Sequence, residues 1–375
     1  LRRVPVRLGG RSYTIRIAAG ILERAGDELR GVSDAERVFL VSDTAVHRLY
    51  GVRVERSLRA RSFRVSRFLL RPGEKEKTLG SVERIYDALL AAGADRRTLL
   101  AALGGGVVGD TAGFAAATWH RGIPFAQIPT TLLAQIDASI GGKTGVDLPG
   151  GKNLVGAFHQ PAAVLADPAC LATLPAREYR SGLAEAVKYG MIRDARFFHL
   201  LERNAEGIAA RDPALLERVI ERCCRIKAEY VAADEEDRTG KRAELNYGHT
   251  FGHAVETAAG YGSLRHGEAV AIGMAAASHV SMRLGLLDPA DRERLLALLQ
   301  TFGLPVGGVQ AERGTLFRLL LRDKKTEGGR LRIVLTKGIG LATLRPSVPE
   351  PLILEALGEV CTRFSGRRRR RSHGG

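Results

Sequence analysis

The run Thr98-Leu-Leu-Ala-Ala-Leu103 passes without a spacer into Gly104-Gly-Gly-Val-Val-Gly-Asp110 and then into Thr111-Ala-Gly-Phe-Ala-Ala-Ala-Thr118. A short apolar run bounded by glycines reads as a buried strand, and the alanine-rich stretch after it as the first turns of a helix. Strand, glycine turn and helix in direct succession confine this part of the chain to a βα unit. In such a unit glycines let backbone N–H groups approach a pyrophosphate, and the helix N-terminus adds partial positive charge. The spacing Gly104-x-Gly106-x-x-Gly109 fits the dinucleotide fingerprint, but the acidic residue expected about 20 positions further on is missing. Pro129-Thr-Thr131 follows the next strand instead. A dinucleotide would therefore bind outside the standard Rossmann manner, and a plain tight turn is the competing reading. The run Gly141-Gly-Lys-Thr144 resembles the end of a phosphate loop, but Asp137 stands where that motif needs its first glycine.

Up to about Leu174 strand and helix patterns alternate. Strand-like Arg37-Val-Phe-Leu-Val-Ser42 and Thr98–Leu103 flank a segment with Val82, Ile85, Leu89 and Leu90 at helical spacing. Alternation of this kind implies a largely parallel sheet with helices on its faces. After Pro175 helical patterns dominate, as in Ala214-Leu-Leu-Glu-Arg-Val-Ile and Ala269-Val-Ala-Ile-Gly-Met, and only Arg330-Leu-Arg-Ile-Val-Leu335 reads clearly as a strand. The expected organisation is an α/β domain over residues 1–175, a mostly helical domain over 176–366, and an Arg-rich tail over 367–375. The tail is poor in hydrophobic residues, so we expect it to be disordered and dispensable for catalysis.

The 375 residues are 45% hydrophobic and 26% charged, an ordinary globular balance. The net charge of +16 suggests an anionic partner, yet Arg367 to Arg371 contribute five of those charges. No nucleic-acid motif accompanies them, and no specific nucleic-acid partner is expected. Cys170, Cys223, Cys224 and Cys361 form no Cys-x-x-Cys pair and are too few for a disulfide framework. The opening Leu-Arg-Arg-Val-Pro-Val-Arg-Leu has no apolar stretch of the signal-peptide kind, and no membrane span is apparent. A cytoplasmic location is expected.

Leu245-Asn-Tyr-Gly-His249-Thr-Phe-Gly-His253 places two histidines four residues apart, hence on one face of a helix. His266 follows in Arg265-His-Gly-Glu, and Glu185 lies in Gly182-Leu-Ala-Glu-Ala-Val-Lys188. Imidazoles and a carboxylate suit a divalent ion such as Zn²⁺, whereas the metalloprotease pattern His-Glu-x-x-His is absent. Lys77, Arg121, Lys143, Lys152, Asn153, Lys188, Lys227, Arg242, Asn246, Lys324 and Lys325 occur in or near glycine-containing segments. Each alone reads as a solvated charge. Together with a metal and a dinucleotide they suggest a pocket for a substrate carrying both phosphate and carboxylate.

From about Val6 to Val360 the chain resembles the 3-dehydroquinate synthase family of the sugar phosphate cyclases. Besides the segments above, the resemblance rests on Pro72-Gly-Glu-Lys-Glu-Lys77, Ile128-Pro-Thr-Thr-Leu-Leu-Ala-Gln-Ile-Asp137, Gly151-Lys-Asn153 and Leu174-Pro-Ala-Arg-Glu178. It implies a Rossmann-like NAD-binding domain followed by a helical metal- and substrate-binding domain. It also implies conversion of 3-deoxy-D-arabino-heptulosonate 7-phosphate to 3-dehydroquinate and phosphate, with NAD and one Zn or Co ion. By that resemblance Glu185, His249 and His266 hold the metal, which leaves His253 to the substrate. NAD falls to Asp43, Glu74, Lys77, Gly105, Gly106, Asp110, Thr130, Thr131, Asp137, Lys143, Lys152 and Thr173. Substrate falls to Lys143, Lys152, Asn153, Lys188, Lys227, Arg242, Asn246, His253 and one of Lys324 and Lys325. Arg121 is implied to reach across the interface of a homodimer. Departures from the family pattern are Trp119-His120, Glu244, and a loop from Asp234 to Lys241 that is one residue longer. The rivals are a cyclase acting on another heptulose phosphate such as sedoheptulose 7-phosphate, a polyol dehydrogenase of related fold that would release NADH, and a basic nucleic-acid-binding module.

Overall fold

In the computed structural model, residues 1–260, 263–324 and 331–361 are described. The first part of the chain supplies strands β1 (Arg2–Val6), β2 (Tyr13–Ile17), β3 (Arg37–Asp43), β4 (Arg64–Leu70), β5 (Leu99–Gly104), β6 (Phe125–Pro129), β7 (Lys143–Leu148), β8 (Gly151–Phe158) and β9 (Ala163–Ala166). Seven of them form one sheet in the order β1-β2-β9-β6-β5-β3-β4, parallel throughout except for the β1–β2 pair. Its central strands are apolar on both faces. Val38 and Leu40 of β3, with Leu99, Ala101 and Leu103 of β5, pack with Leu29, Val54 and Leu58 on one side. Phe39 and Val41, with Leu100 and Ala102, pack with Val82, Ile85, Leu89 and Ala112 on the other. This is why these strands read as unbroken hydrophobic runs.

Strand order reverses between β3 and β5, so the crevice beyond their carboxyl ends is a topological switch point. Asp43 ends β3 there, and Gly104 ends β5 immediately before the helix Gly106–Thr118. The helix begins five residues earlier than its alanine-rich core suggested. Gly104 and Gly109 are required by close packing: a Cβ would fall 2.7 Å from Val108 Cβ at the first and 2.6 Å from Gln127 Oε1 at the second.

Two expectations need correction. Leu90 shares the helix Leu79–Ala91 with Val82, Ile85 and Leu89, but it is 72% exposed and lies off the buried stripe. Of the strand expected over Arg330–Leu335, Arg330 lies outside the described residues and the rest contributes to β10 (Ile333–Thr336), which pairs antiparallel with β11 (Ala342–Arg345). The β7–β8 hairpin was also not foreseen. It opens just after Gly141 and Gly142, whose φ values of +94° and +69° explain the glycine pair.

After β9 the chain is mostly helical. Helix Ala176–Arg193 packs against His266–Arg283, which in turn packs against His249–Ala259. Glycine permits these contacts, since a Cβ on Gly267 would lie 1.9 Å from Ser181 O and one on Gly273 1.9 Å from Gly248 O. No side chain fits between backbones this close.

Gly267→Ala is therefore expected to destabilise the protein by about 3 kcal/mol through overpacking. Gly358→Ala, within the helix Glu350–Val360 and with nothing within 4 Å of the added Cβ, is expected to stabilise by about 0.5 kcal/mol. Denaturant midpoints of the two variants check both signs.

Candidate active site

Glu185, His249 and His266 are brought together by the three packed helices, with their ligand-type atoms all within 4.8 Å of one another. Gly248, at φ +81°, is the N-cap that turns His249 into the first position of its helix. His266 likewise opens its helix, where the backbone N–H of Arg265 donates to Glu268 at 2.9 Å. Nε2 of each histidine faces Glu185 Oε1 at 3.6 Å. That is too long for a hydrogen bond but matches two atoms each about 2.1 Å from one tetrahedral ion. His249 Nδ1 lies 3.3 Å from Tyr247 O, an outer contact that leaves Nε2 facing inward.

Glu185 is fully buried, and neither carboxylate oxygen makes a well-formed hydrogen bond, although the Lys188 ammonium stands beside Oε2. Two buried, acidic oxygens facing two imidazoles fit a divalent cation better than they fit an apolar core. Burial pushes the Glu185 carboxyl up, but Lys188, His266 and His249 outweigh it and hold it below the ordinary carboxylate range. Burial, reinforced by Lys188, pushes His249 down to about 3, so its imidazole is neutral as a ligand must be. For His266 burial acts downward as well, but the Glu185 carboxylate more than offsets it and raises the pKa.

Beside this cluster a second one joins the two parts of the chain. Asp137, on the turn Ala134–Ala138, accepts hydrogen bonds from Lys227 Nζ and from Tyr189 OH, each at 2.6 Å to Oδ1. Burial raises the Asp137 carboxyl, but Lys227 and Lys188 overcome this and hold it far below the usual range. Arg242 is also buried, donating from Nη1 to Glu235 O at 2.9 Å while its Nε has no partner among the described residues.

Other predicted residues form a rim that is exposed at Lys143, Lys152 and Asn153 and buried at Lys77. Lys143 pairs with Asp237, Lys152 Nζ pairs with Glu256 Oε1 at 2.7 Å, and Asn153 Oδ1 accepts from Lys77 Nζ at 2.6 Å. Lys77 also donates to Asp110 at 2.6 Å, tying the turn after β4 to the glycine helix. Asn246 is exposed at the end of the turn Lys241–Asn246, and the exposed His253 ring lies edge-on to His249 with centroids 5.7 Å apart.

Around the glycine crevice, the Asp43 carboxylate accepts from the N–H groups of Ala45 and Val46 at 2.9 Å. Thr130 N–H donates to Gly104 O at 2.9 Å, and Thr131 Oγ1 accepts from Ala134 N–H at 3.2 Å. Gly105 leaves room for Thr131, whose Cγ2 would lie 3.0 Å from an added Cβ, whereas Gly106 has no such clash. Glu74 Oε1 is 3.9 Å from Lys152 Nζ, and Thr173 Oγ1 meets Tyr50 OH.

Arg121 does not join this constellation. It is exposed on the turn Trp119–Arg121 at φ +67°, with no side-chain hydrogen bond or ion pair among the described residues. Lys324 ends the helix Arg313–Lys324, while Lys325 and the Arg-rich tail lie outside the described residues. Sequence reasoning missed Glu256, Asp237 and Tyr189. Tyr189 directly follows the Gly182 to Lys188 motif, and Glu256 lies three residues past His253, so each falls just outside a stretch singled out for its neighbours. Asp237 sits at φ +56° in the loop noted as longer, where Asp234 accepts from the N–H groups of Arg238 and Thr239. Of the departing residues, Trp119 stacks on Tyr86 and Glu244 accepts from Tyr230 OH at 2.5 Å.

A parallel sheet with a glycine crevice at its switch point, facing a His₂Glu cluster and a ring of cations, defines an enzyme class that pairs a dinucleotide-type site with a metal-type site. Family models described as 3-dehydroquinate synthase N-terminal and C-terminal match residues 67–181 and 182–326. The 3-dehydroquinate synthase of Pelobacter propionicus is 50% identical over 337 residues, covering 89% of this chain and 93% of that one. The chain belongs to the 3-dehydroquinate synthase family. Among solved structures, the 2-epi-5-epi-valiolone synthase of Streptomyces hygroscopicus subsp. jinggangensis, with NAD⁺ and Zn²⁺ bound, is similar at a TM-score of 0.86 and 32% identity. That match covers 96% of this chain and 99% of that one. A 2-deoxy-scyllo-inosose synthase complexed with carbaglucose-6-phosphate, NAD⁺ and Co²⁺ matches at 0.84 and 28%, covering 96% and 100%.

The Asp137–Lys227 pair has a pH signature. A carboxyl whose folded pKa is depressed adds stability above its unfolded pKa of about 3.9 and loses it as pH falls toward the folded value. Asp137→Ala, which leaves Lys227 buried without its counter-charge, is expected to cost on the order of 3 kcal/mol. The gap between variant and wild type should hold from pH 7 to about pH 4 and narrow below that. Urea titrations across that range test it.

Proposed function

We propose that the chain converts 3-deoxy-D-arabino-heptulosonate 7-phosphate to 3-dehydroquinate and phosphate, with NAD⁺ and one Zn²⁺ or Co²⁺ ion as cofactors. The observation that carries this reading is the meeting of Glu185, His249 and His266 with a set of buried and rim cations beside the glycine crevice. Identity of 50% to a 3-dehydroquinate synthase, against 32% to the valiolone synthase, supports this heptulose phosphate over another.

Glu185, His249 and His266 would hold the ion. Gly105 and Gly106 would let backbone N–H groups meet the pyrophosphate of NAD, flanked by Asp43, Glu74, Lys77, Asp110, Thr130, Thr131 and Thr173. When bound, these groups supply polarisation of a substrate oxygen and a reversible hydride acceptor, which makes a neighbouring C–H acidic enough for phosphate to be eliminated. Elimination makes the enzyme a carbon–oxygen lyase. Asp137 is held ionised by Lys227 and Lys188, and would orient the nicotinamide end together with Lys143. Lys152 and Asn153 on β8, with Lys188, Lys227, Arg242, Asn246 and His253 from the helical half, would grip the phosphate and carboxylate. One conformer is thereby kept through oxidation, elimination, re-reduction and ring closure. One of Lys324 and Lys325 would complete the grip. The exposed Arg121, unpartnered among the described residues, fits a role across a homodimer interface. No described helix is long and apolar enough to cross a membrane.

Incubation with the heptulosonate phosphate, NAD⁺ and Zn²⁺ or Co²⁺ should release phosphate with NAD⁺ present far below substrate and with no net NADH. NADH accumulating one-for-one with product would instead mark a dehydrogenase. His266→Ala should lose the ion and turnover while remaining folded, so full metal content in that variant, measured by elemental analysis, would overturn the ligand assignment.

A further inference from the structure

We infer that Glu256 is a positioning residue: it anchors Lys152 across the cleft so that the rest of the ammonium meets the substrate's phosphate. Lys152 lies on β8 in the sheet half, and Glu256 on the helix His249–Ala259 that also carries a metal-type histidine. Their side chains meet at 2.7 Å, with Glu256 at 10% side-chain exposure and Lys152 at 35%. The anchor is the buried member and the cation the accessible one.

Glu256 stands seven residues beyond His249, on the same helix face and two turns along it. Its carboxylate thus fixes an ammonium at a set place relative to the histidine that faces Glu185. An ammonium has three donors. The bond to Glu256 uses one, and Glu74 Oε1 at 3.9 Å approaches the same nitrogen from the crevice side. A phosphate oxygen that meets this ammonium need not displace Glu256, whose carboxylate would otherwise be left buried without its cation. The flexible four-carbon stem of lysine explains why such an anchor is useful, since an untethered ammonium would lose more rotamer freedom on binding. The hairpin is tied down at this point: Asn153, at φ +55°, accepts from Lys77, and its N–H donates to the Asp147 carboxylate at 2.8 Å.

This inference rests on the proposed phosphate role of Lys152, and its test separates the two. Affinity for inorganic phosphate, measured by calorimetry on the metal-loaded, NAD-bound protein, is compared for wild type, Glu256→Ala, Lys152→Ala and the double variant. KM for the heptulosonate phosphate is followed alongside. Glu256→Ala is expected to weaken phosphate binding and raise KM about tenfold with kcat changed less than threefold, and Glu256→Gln, which keeps the shape and an acceptor, to fall between. In the Lys152→Ala background, loss of Glu256 should have no further effect. Metal content and thermal midpoint of each variant separate this from simple misfolding. Equal, additive losses from the two single variants, or phosphate affinity unchanged in Glu256→Ala, would overturn the inference. If wild type binds phosphate but does not turn over the heptulosonate phosphate, the functional reading fails and the phosphate cycle still decides the anchor.

Discussion

A carboxylate with no exposed surface and no well-formed hydrogen bond governs the arrangement of the helical half. Taking one such charge out of water costs about several kcal/mol even after the protein relaxes. The chain does not offset this by hydrogen bonding Glu185. It surrounds the carboxylate with Lys188 and two imidazoles held at a distance that suits a shared cation. That distance is possible only because backbone meets backbone at Gly267 and Gly273. Close helix packing and metal-type chemistry are thus one requirement seen at two scales: glycines give proximity, proximity gives three inward ligands, and the ligands justify a buried charge.

The second buried cluster does for the joint between the halves what Glu185 does for the helices. Asp137 belongs to the sheet half, and Lys227 and Tyr189 to helices of the other. Their contacts carry charge into the cleft while fixing its width. The rim pair of Lys152 and Glu256 and the exposed pair of Lys143 and Asp237 bridge the same cleft nearer solvent, where water weakens each ion pair. The deep contact governs how the halves sit, and the shallow ones are those an incoming anion can share.

Much of this was legible in the sequence, for physical reasons that differ by element. β3 and β5 showed themselves because strands buried on both faces are uninterrupted hydrophobic runs, and the glycine turn because only glycine fits beside Val108 and Gln127. The β7–β8 hairpin stayed hidden. Its residues mix buried, intermediate and exposed positions without a clean alternation, and its pairing depends on Gly145 and Gly156 lying against the opposing backbone, a cross-strand relation with no periodic signature. Spacing grouped His249 with His253, as four residues along a helix must. The structure turns His249 toward Glu185 and leaves His253 at the surface, because the partner ligand comes from a helix that begins seventeen positions after His249. Leu90 misled for the opposite reason, being apolar at nearly the right angle yet outside the buried stripe.

The three metal-type ligands all lie between Glu185 and His266, whereas the glycine crevice and its flanking residues are complete by Thr173. During synthesis, which delivers the N-terminal part first, the two apolar layers around β3 and β5 can form before the three metal-type ligands have met. The metal-type pocket must wait until the His266 helix has emerged and docked its glycines against Ser181 and Gly248. The nascent chain thus acquires a nucleotide-type crevice before it acquires a metal-type pocket, and a ribosome stalled between those two points would carry the first without the second.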